Sequence, residues 1–481
     1  LRELLLDLVD AASGWASYAD VRHVRMLAED VALRNGERLL DRREEEGIGV
    51  RVRVNGAWGF AAARGSGRAD GEDALARALA LAQAQPVAVG PGDEPGLTPE
   101  APATGSHTAP CEIDPFEVSL GHKLELLAQA EAAMRCEPLV SVARAQVSSR
   151  SEEKIFASTE GALYEQRIVE CGGGLVAIAV DGSGTQVRSY PGSHSGHVAQ
   201  AGWEHVAELD LVGNAPRVAA EAAALLSAPV CPSDRTTLIL AKEQLGLQIH
   251  ESVGHALELD RVLGGEASYA GTSFVPADGI GSMRLGSEVM NVTADATLPG
   301  ALGSFGWDDE GVRAQAIPLV GEGMLRGFLS SRESAAEIGL SRSGGCMRAE
   351  GFTRQPVVRM TNVSLDPGTA GTLDELIAAT QRGIYMETNR SWSIDSRRLH
   401  FQFAGEAAWE IADGRLGRLL RDPVYSGTTP RFWGGLDAVC SRSEWALASV
   451  TNCGKGEPGQ LASVSHGSAP ARFRDVLVGS G

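Results

Sequence analysis

Residues 228–261 open with Ala228-Pro229-Val230-Cys231-Pro232-Ser233, run through the apolar Thr236–Leu240, and continue into Lys242–Arg261, which contains His250-Glu251-Ser252-Val253-Gly254-His255. Two prolines within four residues oppose both helix and sheet, so the opening marks the main domain boundary. Thr236–Leu240 reads as a strand. In the segment after it, Leu245, Ile249, Val253 and Ala256–Leu257 recur at helical spacing, which predicts a helix with one apolar stripe. The histidines flank that stripe. A strand feeding a half-buried helix at the head of a domain makes the chain α+β and puts its chemistry on one helix.

Working outward toward the N-terminus, a pattern recurs. Residues 1–13 look helical. Ala19–Ala28, Val31–Leu40 and Gly47–Ala63 read as strands, the last with the hairpin signal Asn55-Gly56 inside it. Asp73–Ala84 is Ala-rich with helical spacing. Then Ser119–Arg135 reads as a helix with Ser119 as N-cap. Val140–Ser149, Lys154–Arg167 and Gly173–Tyr190 read as strands with turns at Glu160-Gly161 and Asp181-Gly182, and Trp203–Leu226 as a helix. Residues 1–228 are therefore a duplicated helix–strands–helix region, with units of about 1–85 and 116–228. Residues 85–115 between them hold seven of the chain's 21 prolines. They read as an extended surface connection.

Toward the C-terminus, residues 229–481 form a β-rich domain. Ala316–Leu319, Val357–Val363, Leu399–Ile411 (with a turn at Asp413-Gly414) and Ala446–Val450 read as strands, and Leu373–Thr380 as a short helix.

The composition, 43% hydrophobic and 22% charged over 481 residues, is that of a globular protein with a sizeable core. The formal charge is −19. Phosphate contacts need a Lys/Arg patch, and no basic run exists, so nucleic-acid binding is excluded as an expectation. The acidity serves solubility, and would also attract zinc or basic peptides. Seven widely spaced cysteines with no CxxC suit reduced thiols and a cytoplasmic location. No run of 18 apolar residues exists, so no membrane span is expected. The chain opens on Leu1 rather than Met, which leaves room for residues upstream, a targeting segment among them.

The familiar peptidase motif HExxH sets its histidines four apart, about 40° around a helix at about 100° per residue. Five apart, as in His250 and His255, gives about 140°, too wide for one metal on a regular helix. A π-type turn of about 4.4 residues brings the two within about 50°, and such turns cluster at functional sites. Gly254 eases the distortion. Glu251, next to His250, is placed to serve as general base. Two histidines and a Glu on a helix also suit ordinary exposed positions. Glu258 and Asp260 are either partners that orient a ligand imidazole or solvated charges at the helix end. His194 and His197 sit in a Gly/Ser-rich loop, His400 and His466 elsewhere. Gly172-Gly173-Gly174 and Gly344-Gly345 lack a nucleotide-loop context and read as turns.

His250-Glu251-Ser252-Val253-Gly254-His255 followed by Leu257-Glu258-Leu259-Asp260 resembles the metal-binding helix of the TldD/PmbA family, where HExxxH replaces HExxH. Thr451-Asn452-Cys453-Gly454-Lys455-Gly456-Glu457-Pro458-Gly459-Gln460 resembles its CGKxxxGQ segment. His466-Gly467 and Arg472-Phe473-Arg474-Asp475-Val476 resemble its closing strand. Asp308-Asp309-Glu310-Gly311, Arg359-Met360-Thr361-Asn362 and Gly405-Glu406 fall between them in the expected order. The resemblance implies a zinc metallopeptidase of TldD type in which Cys453 is the third ligand beside His250 and His255. It implies action on small or unfolded peptides, and a homodimer or a heterodimer with a PmbA-like subunit. The alternatives are a biosynthetic hydrolase acting on a peptide-like metabolite, or a non-catalytic subunit of such a heterodimer.

Overall fold

The computed structural model describes residues 1–85, 96–182, 184–193 and 196–481. The architecture is α+β, with the C-terminal part rich in strand. One sheet spans the N-terminal half. It runs in the order Ala57–Arg64, Glu37–Val54, Tyr18–Arg34, Val140–Ser158, Leu163–Asp181, Thr104–Thr108, and the strands Gly184–Tyr190 and His197–Ala199 also pair with Leu163–Asp181. The seam between the two units is the antiparallel pairing of Tyr18–Arg34 with Val140–Ser158, from Asp20 opposite Ser158 to Arg34 opposite Arg144. The units therefore share one sheet. Each keeps its own apolar cluster. One gathers Leu5, Leu8, Val21, Val50, Ala74 and Ala78, the other Leu127, Ala130, Val147, Leu175, Val218 and Ala222.

Several sequence expectations change here. The runs Ala19–Ala28 and Val31–Leu40 are not two strands. Tyr18–Arg34 is continuous, and the chain reverses at Asn35-Gly36, where φ is 50° and 83°. That is a second Asn-Gly hairpin, and Asn35 fastens it by donating to Ser141 O and accepting from Ala143 N–H. Trp203–Leu226 is two helices, Trp203–Glu208 and Leu211–Ser227. Asp210 adopts φ 44° between them and caps the second through Gly213 N–H. Within the proline-rich connection, residues 86–95 lie outside the described residues, but Thr104–Thr108 adds a parallel edge strand to the sheet. Val357–Val363 divides into Val357–Val358 and Val363–Leu365. Ser119 does cap the helix Leu120–Met134, accepting from His122 N–H.

In the C-terminal half, Arg382–Ile394, Asp234–Leu240, Ala471–Ser480, Pro423–Thr428 and His400–Ala412 pair in that order, and His400–Ala412 pairs back onto Arg382–Ile394. The ring of pairings closes, which leaves these strands few free edges. Phe432 stacks on Phe473 at 4.1 Å beside the buried Trp433. The helix beginning at Lys242 leaves the strand Asp234–Leu240 directly and buries Leu245, Ile249, Val253 and Leu257 in the same cluster. At about 1.5–3 kcal/mol for each such side chain, this burial fixes the face the helix turns inward. Its other neighbour is the hairpin Ala446–Lys455/Gln460–Ser468. Gly246 permits the close approach, since a Cβ there would lie 2.8 Å from Ala448 Cβ.

Candidate metal centre

The segment Lys242–Arg261 is not one regular helix. An α-helix covers Lys242–Ile249, a π-helical turn His250–Gly254, a 3-10 turn His255–Leu257, and a short α-helix Leu259–Val262. His255 N–H donates to His250 O, five residues back. This wide turn brings the two imidazoles to one side, with ring centroids 4.8 Å apart. Gly254 has a steric role as well as a conformational one. A Cβ there would lie 2.1 Å from the Met360 sulfur.

Cys453, on the strand Ala446–Lys455, comes to the same point. Its Sγ is 3.5 Å from His255 Nε2, and donor atoms of His250, His255 and Cys453 all lie within 4.8 Å of one another, all three residues buried. Bond lengths of about 2.0–2.3 Å in a tetrahedral zinc site put donor atoms about 3.3–3.7 Å apart, so the three need close in by no more than about 1.5 Å. Two imidazoles and a thiol are the donor types zinc takes in catalytic sites, with one position left open. The residues fit the metal.

The remaining ring nitrogens are all occupied. His466 Nδ1 is 2.7 Å from Val363 O, which only accepts, so that nitrogen carries the proton and His466 Nε2 is an acceptor. His250 Nδ1, 2.7 Å from His466 Nε2, must then be the donor. The His250 Nε2 lone pair is left for a metal. His255 Nδ1 donates to Glu258 Oε2 at 2.9 Å, which frees its Nε2 in the same way. Glu258 is fully buried and also faces Lys455 Nζ at 3.3 Å and Arg261 Nε at 3.6 Å. Burial alone would raise its carboxyl, but Lys455, His255 and Arg261 hold it well below the usual range. Asp260 touches neither imidazole. It takes Lys455 Nζ at 2.8 Å, one step farther out.

Burial pushes the His250 imidazole down to about 4, so the ring is neutral as a ligand must be. Burial opposes the Cys453 thiolate, yet His255 and Arg359 outweigh it and leave the thiol below its ordinary value. Glu251 is likewise held low despite burial, by His255, His250 and Arg398. Arg398 Nη1 donates to its Oε2 at 2.5 Å.

These groups line a cavity of about 920 Å³ between the two halves of the chain, walled by Pro191–Gly192, His197, Trp392 and residues 445–454. His197 is in that wall but bonds to His205 and Leu447 O rather than to the centre. His194 lies outside the described residues, and His400 is exposed. Sequence reasoning left His466 unplaced and missed Arg398, Trp392 and Lys455. Lys455 carried a signal only as the lysine of the Cys453-Gly454-Lys455 segment; Ala446–Lys455 is otherwise half-buried or exposed apart from Cys453.

Known proteins resemble this chain along nearly its whole length. The PmbA/TldA metallopeptidase family matches in three successive pieces, domain 1 over residues 19–82, the central domain over 113–228 and the C-terminal domain over 233–480. A metalloprotease of Methanothermobacter thermautotrophicus is 31% identical over 481 residues, 100% of this chain and 98% of that one. A zinc metalloprotease TldD homolog of Saccharolobus solfataricus is 26% identical over 243 residues, 50% of this chain and 51% of that one. Among solved structures, a Thermotoga maritima protein described as a modulator of a DNA gyrase superposes with TM-score 0.78 at 17% identity, over 99% of both chains, a likeness of fold alone. With its three family domains matched in order along nearly its whole length, the chain belongs to the PmbA/TldD family of metallopeptidases.

Proposed function

We propose that the chain is a zinc-dependent peptidase that hydrolyses peptide bonds in small or unfolded peptides, with His250, His255 and Cys453 as zinc ligands and Glu251 as general base. The observation that carries this reading is the convergence of three buried zinc-type donors beside a buried carboxylate in a cavity wall. Zinc, when bound there, supplies Lewis acidity toward the scissile carbonyl and the attacking water. Glu251 takes a proton from that water as its oxygen bonds to the carbonyl carbon. The C–N bond then breaks, and Glu251 returns the proton to the departing amine. The tautomers fixed by His466 and Glu258 leave the Nε2 lone pairs of His250 and His255 for the zinc they would hold. Residues 446–454 line the cavity along a strand that pairs, among the described residues, with Gln460–Ser468 alone, so an extended peptide can lie beside the part of its edge not taken by His197 at Leu447 O and Arg359 at Cys453 O.

The test is digestion of the oxidised insulin B chain, followed by mass spectrometry. The zinc-loaded protein is expected to cut it, and a chelator to stop the cutting. A protein that holds one zinc per chain and leaves the peptide whole refutes the reading. We also propose a dimer, either of this chain or with a PmbA-like subunit. Light scattering of the purified chain should give about twice the 50.4 kDa chain mass, and a monomer mass refutes the homodimer.

A further inference from the structure

The loop joining the strands Arg382–Ile394 and His400–Ala412 arches over the π-helical turn that carries Glu251. It is fastened along its length. Asp395 N–H donates to His400 O at 3.0 Å, Arg398 N–H to Asp395 O at 3.0 Å, and Leu399 N–H to Asp395 Oδ1 at 2.8 Å. Phe274 N–H donates to Arg397 O at 2.9 Å, and Thr429 Oγ1 to Arg398 O at 2.7 Å. These bonds hold Arg398 at φ 63°, a left-handed conformation that costs a residue with a side chain about 1–3 kcal/mol. The backbone is thus held in an unfavourable state that aims one guanidinium into the cavity.

The Arg398 side chain is 15% exposed and lines the same cavity as His250, Glu251, His255 and Cys453. Of its five N–H donors, Nη1 is engaged by Glu251 Oε2, while Nε is buried and out of reach of a ligand in the cavity, which leaves the terminal Nη donors as the ones that can meet it. In the hydrolysis, the water oxygen held by Glu251 and the carbonyl oxygen of the substrate become attached to the same carbon. A planar fork with one arm on Glu251 therefore has its remaining donors beside the oxygen on which negative charge develops.

We propose that Arg398 is a further catalytic residue, the hydrogen-bond donor that stabilises the oxyanion formed from the scissile carbonyl; this rests on the peptidase reading above. The step needs no added reactant. Arg398 stays protonated, and no bond to it forms or breaks.

The test uses a phosphinic analogue of the insulin B-chain bond that the wild type cuts fastest, with the scissile amide replaced by a phosphinate and a methylene. Its affinity for zinc-loaded protein is compared with that of the unmodified peptide for the zinc-loaded Glu251→Gln form, each with and without Arg398→Gln. Loss of one such donor is expected to weaken the analogue by about 100-fold or more while the ordinary peptide changes by less than about threefold, with zinc content unaltered. Arg398→Lys, which keeps charge but not the fork, should fall between. A crystal of the analogue complex should place an Arg398 nitrogen within about 3.1 Å of a phosphinate oxygen. Equal losses for both ligands, or an analogue bound with Arg398 still only on Glu251, overturn the proposal and leave Arg398 as a positioning residue for Glu251. A wild type that loads zinc and cuts no B-chain bond instead refutes the peptidase reading itself.

Discussion

Replacing His466 by Ala removes the acceptor of the His250 Nδ1–H. Both rings are buried, His466 at 0% and His250 at 2% exposure, so water does not readily take its place. A buried donor left unpaired costs about 1–3 kcal/mol. The ring can escape that cost by moving its proton to Nε2, but that nitrogen's lone pair is the one available to the metal. Either route penalises the zinc-bound state. Loss of a hydrogen bond that orients a ligand imidazole weakens metal binding about 10–100-fold, equivalent to about 1.4–2.7 kcal/mol. Competition with a chromophoric chelator near neutral pH reads this loss directly. Thermal melting of the metal-free variant shows whether the fold survives the cavity. His466→Gln, which offers both an acceptor and a donor, should retain more affinity than the Ala variant. An Ala variant with an unchanged melt that binds zinc within about threefold of the wild type would refute the tautomer argument.

Glu251→Gln should keep its zinc and lose at least about a hundredfold in turnover, since general-base contributions are typically 10²–10⁴-fold; near-normal hydrolysis by the zinc-loaded variant removes Glu251 from that role. Cys453→Ser should lose zinc while Cys136→Ser keeps it, and the Cys453 thiol should become alkylatable only after chelation. Cys136 serves as the control because it is exposed. Equal zinc content in the two variants rules out Cys453 as a ligand. At the contact between the two halves, Glu406 shares Arg188 with Glu221 and Glu387, and burial pushes its carboxyl up to about 7 from 4.5. The folded form then binds the proton more tightly. The associated stability is complete below about pH 4.5 and is lost as pH rises through about 7, by up to about 3 kcal/mol. Urea unfolding across that range should show the fall in the wild type and not in Glu406→Gln; parallel curves would contradict it.

The sequence alone was enough to locate the helix, both histidines and the need for a widened turn, because these depend on spacing within six residues and on helical geometry. It was also enough for most of the turns, since a pair such as Asn-Gly is a local signal, but less so for where strands begin and end: Val140–Ser149 and Lys154–Arg167 belong to the strands Val140–Ser158 and Leu163–Asp181. Asn35-Gly36 carried that signal too, yet the apolar residues around it invited a different division of the strands. The break at Asp210 was hidden because a helical pattern continues on both sides of it. Cys453 was placed beside the histidines through a family resemblance, with nothing in its own neighbourhood to require it. Tertiary structure decided the rest. Arg398 reaches Glu251 across 147 positions of chain, and His466 reaches His250 across 216. Which of the chain's 43 Lys and Arg residues meets the base depends on the register of a closed ring of strands and on one strained loop. Local periodicity fixes which way a side chain faces on its own element. Only the pairing and packing of distant elements fixes what it faces.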